Sequence, residues 1–202
     1  PEIRPGISER HLGMMIDHGL RVRGCDKEAF DTIVVSGRRS SLPHGRPTEK
    51  VLEVGDVVTF DFGGFYRNYA GDMTRTVVVG KSCARSRDIY SRVLEAQITG
   101  VEAVAPGKTC REVDRAVREV FARNNLDQYF VHSTGHGVGL SVHEAPSLSG
   151  KDETVLQEGM VVTVEPGIYI PGWGGVRIED VVLVKGNGRE VLTGTSKDLM
   201  VI

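Results

Sequence analysis

Val54-Gly55-Asp56-Val57-Val58-Thr59-Phe60-Asp61-Phe62-Gly63 and Glu158-Gly159-Met160-Val161-Val162-Thr163-Val164-Glu165-Pro166-Gly167 decide the fold when one is laid above the other. Both read glycine, any residue, Val-Val-Thr, an apolar residue, an acid, any residue, glycine. Upstream, Pro5-Gly6-Ile7-Ser8-Glu9-Arg10 corresponds to Pro106-Gly107-Lys108-Thr109-Cys110-Arg111. Downstream, Asp72 precedes the β-rich run Thr74–Val79, and Glu179 precedes Val181–Val184. One such match could be chance. Three in the same order, about one hundred residues apart, indicate a duplication folded as two related halves, approximately residues 1–83 and 84–202.

Local patterns outward from these segments give each half helices and strands. Ser8 and Thr109 stand where a helix N-cap belongs, and Thr109 with Glu112 has capping-box spacing. Leu12, Ile16 and Leu20 recur at helical spacing after Ser8, as do Val113, Val117, Val120 and Phe121 after Thr109. A further helix is expected from about Arg85 to Ala105, with Ile89, Val93, Ala96, Val101 and Val104 on or near one face and Pro106-Gly107 ending it. Asp56–Phe62 and Met160–Glu165 read as strands, each followed by a glycine-containing loop and a second run, Thr74–Val79 and Val176–Val184. Those runs make two long hairpins, and the fold class is α+β, with helices covering an antiparallel or mixed sheet. The second half has a helix ahead of its Pro-Gly, whereas the first begins almost at its own, with Pro1 rather than methionine. The expectation is a single domain over residues 1–202, trimmed from a longer protein in which an N-terminal helix precedes it.

Composition excludes several roles. The 202 residues are 40% hydrophobic and 26% charged, ordinary for a globular protein, with a formal charge of -2. No basic run points to nucleic acid, and no apolar stretch is long enough for a membrane span. Cys25, Cys83 and Cys110 are widely spaced and odd in number. They fit neither a disulfide framework nor a zinc site and read as reduced, buried thiols of a cytoplasmic protein.

The chemistry lies in acids and histidines. Asp61 and Glu165 end apolar strands at the same repeat position, and Asp72 and Glu179 begin the returning runs. Each hairpin can therefore bring two carboxylates together. Four converging carboxylates repel one another, and a pair of divalent cations removes the conflict. For any single acid, pairing with Arg75 or Arg177 is the simpler account; four at matched positions favour a functional site. His132-Ser133-Thr134-Gly135-His136-Gly137-Val138-Gly139-Leu140-Ser141-Val142-His143-Glu144 is dense in histidine and in glycines that allow close backbone approach to a ligand. His44 precedes the first acidic strand as His143 precedes the second, whereas His11 and His18 have no partner pattern.

Asp61, Asp72, His136, Glu165 and Glu179 stand in the contexts Thr-Phe-Asp-Phe-Gly, Gly-Asp-Met-Thr-Arg-Thr, Thr-Gly-His-Gly-Val-Gly, Val-Glu-Pro-Gly and Val-Arg-Ile-Glu-Asp. In order and context they resemble the five metal ligands of the pita-bread metallopeptidases, over essentially the whole chain. The resemblance implies two pseudo-symmetric αβ halves around a curved sheet. Arg177 and Asp180 flanking Ile178-Glu179, and Leu42-Pro43-His44-Gly45-Arg46-Pro47, resemble the proline-specific branch: Xaa-Pro aminopeptidase and Xaa-Pro dipeptidase. Methionine aminopeptidase is the nearest enzymatic alternative; creatinase typically lacks this full ligand set. A peptide-binding module predicts decayed ligands, and none is decayed here, although a fragment without its N-terminal domain could be inactive.

What the resemblance implies is metal-assisted hydrolysis of a peptide with proline at its second position. Two divalent ions are expected, manganese first, with cobalt or zinc fitting the same ligands. Asp72 and Glu179 bridge them, Asp61 completes one site, and His136 with Glu165 complete the other. Glu165 shuttles the proton, His44 and His143 bind substrate and oxyanion, Arg177 orients Asp61, and His132 lines the pocket. The resemblance also leaves room for a homodimer of the longer protein. Dipeptidase and aminopeptidase are not separated, nor is a role fixed for Tyr66, Tyr69 or Trp173.

Overall fold

The structure, a computed structural model, describes residues 2–202. Ser8 accepts a hydrogen bond from the His11 amide and opens α1 (Glu9–Val22). Strands β1 (Lys27–Glu28), β2 (Ile33–Ser36), β3 (Val57–Phe62), β4 (Gly64–Tyr66), β5 (Tyr69–Ala70) and β6 (Met73–Val78) follow. Helix α2 (Ala84–Ala103) leads into the second half, where the Thr109–Glu112 capping box opens α3 (Cys110–Arg123). Then come β7 (Gly135–Gly137), β8 (Glu144–Leu148), β9 (Val161–Val164), β10 (Gly167–Ile170), β11 (Gly174–Arg177), β12 (Asp180–Lys185), β13 (Gly188–Val191) and β14 (Met200–Val201).

The first half builds a four-stranded sheet in the order β14-β6-β3-β2, with β14 parallel to β6 and the other pairs antiparallel. The second builds a five-stranded antiparallel sheet, β13-β12-β9-β7-β8. The expected α+β class is borne out. Helix α2 packs against both halves: Ile89, Tyr90 and Val93 share one core with Val57 and Val78 on one side and Ile168 and Ile178 on the other. Each such side chain contributes about 1.5–3 kcal/mol on full burial, so α2 also fixes the spacing of the two hairpins.

The correspondence between the two segments extends to single hydrogen bonds. The Gly6 and Gly107 amides donate to the Leu52 and Leu156 carbonyls, both at 2.9 Å, and the Leu52 and Leu156 amides donate back to Ile7 and Lys108, both at 2.8 Å. Gly6 and Gly107 adopt φ of 86° and 87°, a conformation that disfavours any side chain. Both leucines are buried beneath their sheets.

Two expectations need correction. Val176–Val184 is not one strand, because β11 folds back on β10 and only β12 continues against β9. The break falls at Ile178-Glu179, where the Glu179 amide turns to the Thr74 carbonyl of the first half at 3.2 Å. Only Cys110 is a buried hydrophobe; Cys25 is half-buried, and Cys83 is exposed, its sulfur capping α2. All three are free thiols. Among the described residues no helix is long and apolar enough to cross a membrane.

Candidate metal centre

The two hairpins deliver their acids to the seam between the halves. Asp61 faces Thr74 across the β3–β6 ladder, and Asp72 lies just before β6. Glu165 follows β9 and Glu179 precedes β12, whose register pairs Val164 with Asp180. Thr74 stitches the halves together: its carbonyl takes the Glu179 amide, and its hydroxyl donates to Glu179 Oε2 at 2.7 Å. Two of these acids, Asp72 and Glu179, and His136 of the second half each bring a ligand atom within 4.8 Å of the others.

His136 is supplied by the second half alone. Ser36 faces Val58 in one sheet and Gly137 faces Val162 in the other, so Val35 occupies the strand position that corresponds to His136. The His136 amide donates to the Thr163 hydroxyl at 3.0 Å, and Nδ1 meets the Gly137 carbonyl at 3.0 Å. Nε2 points inward, 3.2 Å from Glu165 Oε1 and 3.6 Å from Asp72 Oδ2; with Nδ1 as donor to Gly137, the charged ring donates from Nε2 to Glu165, and the neutral ring offers its Nε2 lone pair to an ion. The neighbouring glycines approach backbone closely. A Cβ at Gly135 would fall 1.9 Å from the Thr163 carbonyl oxygen, and one at Gly137 2.3 Å from that of Ala145.

Negative charge is in excess at this centre. Burial, reinforced by the charges of Asp61 and Glu165, pushes Asp72 up to about 8. Burial also raises Asp61 against the pull of Arg177, and it raises Glu179 far above the carboxylate range with help from Asp72. Glu165 goes the other way: burial works against its charge, but the hydrogen bond from His136 and the fields of His132 and Arg177 prevail and lower it. His136 rises, because Glu165 outweighs the burial that would lower it. Burial lowers both His132 and His143. Asp61 Oδ1 and Glu179 Oε1 are buried and meet no donor. An orphaned buried acceptor costs about 1–3 kcal/mol, more when charged. Two such oxygens, in an oxygen-rich set with one imidazole, fit divalent cations.

Arg177 and Tyr169 brace the cavity wall. Buried Arg177 donates from Nη2 to Asp61 Oδ2 at 2.6 Å, from Nη1 to the Tyr169 hydroxyl at 2.7 Å and the Pro43 carbonyl at 3.1 Å, and from Nε to the Thr74 hydroxyl at 3.1 Å. The Tyr169 hydroxyl lies 2.9 Å from His132 Nε2, and burial drives that phenol up to about 12. The rings of His136 and His143 stand 4.3 Å apart.

Every expected site residue lines one cavity of about 430 Å³: His44, Asp61, Asp72, His132, His136, His143, Glu165, Arg177 and Glu179. Phe30, Asp31, Ile33, Arg46 and Ser133 complete its walls and were not anticipated, nor was Tyr169 behind them. The signal for Tyr169 was its place in the Gly-Ile-Tyr-Ile run two residues past Gly167. Tyr66 and Tyr69 are exposed on the β4–β5 hairpin, and Trp173 packs on the core under Arg85; none lines the cavity.

Comparison with known proteins agrees with this geometry. Metallopeptidase family M24 matches residues 1–186. The Xaa-Pro dipeptidase of Pyrococcus furiosus is 50% identical over 199 residues, which cover 98% of this chain and 57% of that protein. A solved Xaa-Pro dipeptidase from Bacillus anthracis superimposes with a TM-score of 0.97 at 50% identity, over 99% of this chain and 56% of that one. A solved X-Pro aminopeptidase from Thermotoga maritima gives the same TM-score at 41% identity, covering 100% and 57%. The chain thus spans a little over half the length of the relatives it matches.

Proposed function

The chain belongs to metallopeptidase family M24, and on that premise we propose that it carries the catalytic machinery of a two-metal exopeptidase cleaving Xaa-Pro bonds. The observation that carries this reading is the convergence of four carboxylates and one imidazole, with two buried oxygens lacking any donor, on one cavity. The names of the relatives, dipeptidases and an aminopeptidase acting before proline, support the substrate class. The pita-bread fold is the one these relatives share.

Asp61, Asp72, His136, Glu165 and Glu179 are the residues to hold the ions, with manganese favoured by the oxygen-rich set and cobalt or zinc as alternatives. When bound, the ions supply Lewis-acid polarisation of the scissile carbonyl and acidify water. Glu165, aimed by the Thr163 hydroxyl at 3.2 Å, takes the proton of the attacking water and delivers it to the imino nitrogen of proline. His143 and His44 donate to the carbonyl oxygen as it gains charge. Arg177 holds Asp61 in place and, through the Pro43 carbonyl, the turn that carries His44. His132, linked to Tyr169, forms part of the substrate wall. Phe30 and Ile33 give that wall apolar surface against which a pyrrolidine ring can pack. The three free thiols suit a reducing compartment, the cytoplasm.

Hydrolysis of an Xaa-Pro dipeptide and a longer Xaa-Pro peptide, with and without added manganese and beside a methionine-initiated control, tests the reading. Metal-dependent cleavage before proline supports it. Cleavage of the methionine peptide alone transfers the chain to a methionine aminopeptidase activity.

A further inference from the structure

The cavity has an outer end, and one ion pair stands across it. Asp31 and Arg46 line the cavity of the metal centre and also an adjoining pocket of about 370 Å³. Arg46 Nη2 and Asp31 Oδ2 are 2.7 Å apart, with side chains 81% and 74% exposed. A pair so exposed holds weakly and exchanges readily for another charged partner. The backbone beneath it is anchored. Arg39 donates to the Arg46 carbonyl at 2.7 Å and to the buried Glu9 carboxylate at 3.1 Å, and Glu9 also takes the Thr48 amide at 3.1 Å. Arg46 therefore has a fixed base and an exchangeable head.

Only Arg46 and Arg177 among the lining residues carry a permanent positive charge. Arg177 is committed to Asp61, Tyr169, Thr74 and Pro43. Beyond the ion pair, the outer pocket presents Asp17 and Glu28, and its Arg10 is paired with Glu49. A carboxylate entering the cavity meets one guanidinium free to exchange its partner; a carboxylate carried past it meets acids.

We propose that Arg46 reads the free C-terminal carboxylate of the substrate, with Asp31 as its internal competitor, and that this pair biases the site toward dipeptides. The inference rests on the Xaa-Pro activity proposed above. It adds the residue that separates dipeptidase from aminopeptidase behaviour.

The test compares an Xaa-Pro dipeptide with its C-terminal amide and with an Xaa-Pro-Xaa tripeptide on the manganese-loaded protein. The acid is expected to exceed the amide about tenfold in kcat/KM, the effect of one charge-assisted hydrogen bond. Arg46→Ala brings that ratio near unity through KM for the acid, and Arg46→Lys retains part of it. Asp31→Asn shifts the ratio the opposite way, by freeing the guanidinium. An acid-to-amide ratio unmoved by Arg46→Ala, or moved in the same direction by both substitutions, overturns the inference. Calorimetric binding of dipeptide and amide to chelator-treated protein reads the same preference without turnover. Were neither peptide cleaved, the proposed function would fall, and the calorimetric ratio would still decide for or against Arg46.

Discussion

Replacing Glu9 with glutamine tests how the site is held. Glu9 is fully buried in the first turn of α1, yet its carboxylate reaches the segment that carries His44 and Arg46. Oε1 accepts from the Ser36 amide and hydroxyl, both at 2.8 Å, and Oε2 from the Thr48 amide at 3.1 Å and hydroxyl at 2.8 Å. Arg39 Nε adds a charged contact at 3.1 Å. Glutamine keeps the shape but turns one oxygen into an NH₂ group. Whichever way it sits, one backbone amide then faces a donor, and that amide cannot rotate away as a hydroxyl can. An unsatisfied buried donor costs about 1–3 kcal/mol, and the lost charge on half-exposed Arg39 adds up to about 1 kcal/mol. With one hydroxyl weakened as well, the sum is about 2–5 kcal/mol, overlapping the range for breaking a buried pair by removing one partner. At this chain length that lowers Tm by about 10 °C. Urea and thermal unfolding followed by circular dichroism measure it, and kcat should fall with the slackened turn. A loss below about 1 kcal/mol would show that the clamp tolerates a donor, contrary to this reasoning.

Glu165→Ala should cut turnover on the order of 10³-fold, the scale of a lost general base, with the fold intact by circular dichroism; retained activity would remove Glu165 from the proton path. A second prediction concerns pH. Asp72 is lifted from 3.8 to about 8, so the folded chain binds that proton more tightly than the unfolded one. Its stabilising contribution is complete below about 3.8 and is lost as pH rises through about 8. Chelator-treated protein should therefore lose stability across that window, while saturating manganese, which requires deprotonated ligands, should reverse the trend; parallel urea midpoints would contradict this. Lys197→Met should destabilise by about 1–3 kcal/mol, because it removes one of the two charged donors held at 2.8 Å on buried Asp180 and leaves only Arg75 and Gln97, and a urea midpoint reads it directly.

Much of this architecture is legible because the sequence carries the same pattern twice. Val57-Val58-Thr59 and Val161-Val162-Thr163 give the strands, and the acids that follow them reach one seam. The helices were equally plain, since α3 buries Val113, Val117, Val120 and Phe121 at the expected spacing. What escaped is what depends on partners distant in sequence. Glu9 reads as an ordinary acid in a helix's first turn, and nothing local tells that Ser36 and Thr48 close over it. The break at Ile178-Glu179 hides inside a β-rich run, because it is forced by contacts with Thr74 and Arg75 of the other half. Asp31 and Arg46 lie fifteen residues apart in a stretch of turns, where no periodicity marks a shared wall. Cys83 was misjudged because cysteine is usually buried, whereas here its sulfur accepts from the Ser86 amide at a helix start.

The central claim is that two ions lie where the halves meet. Anomalous diffraction from a manganese-soaked crystal tests it most directly. Two peaks about 3.5–4 Å apart, both within the cluster of Asp61, Asp72, His136, Glu165 and Glu179, are the predicted result. No peak there, a single one, or manganese bound at other residues would contradict it.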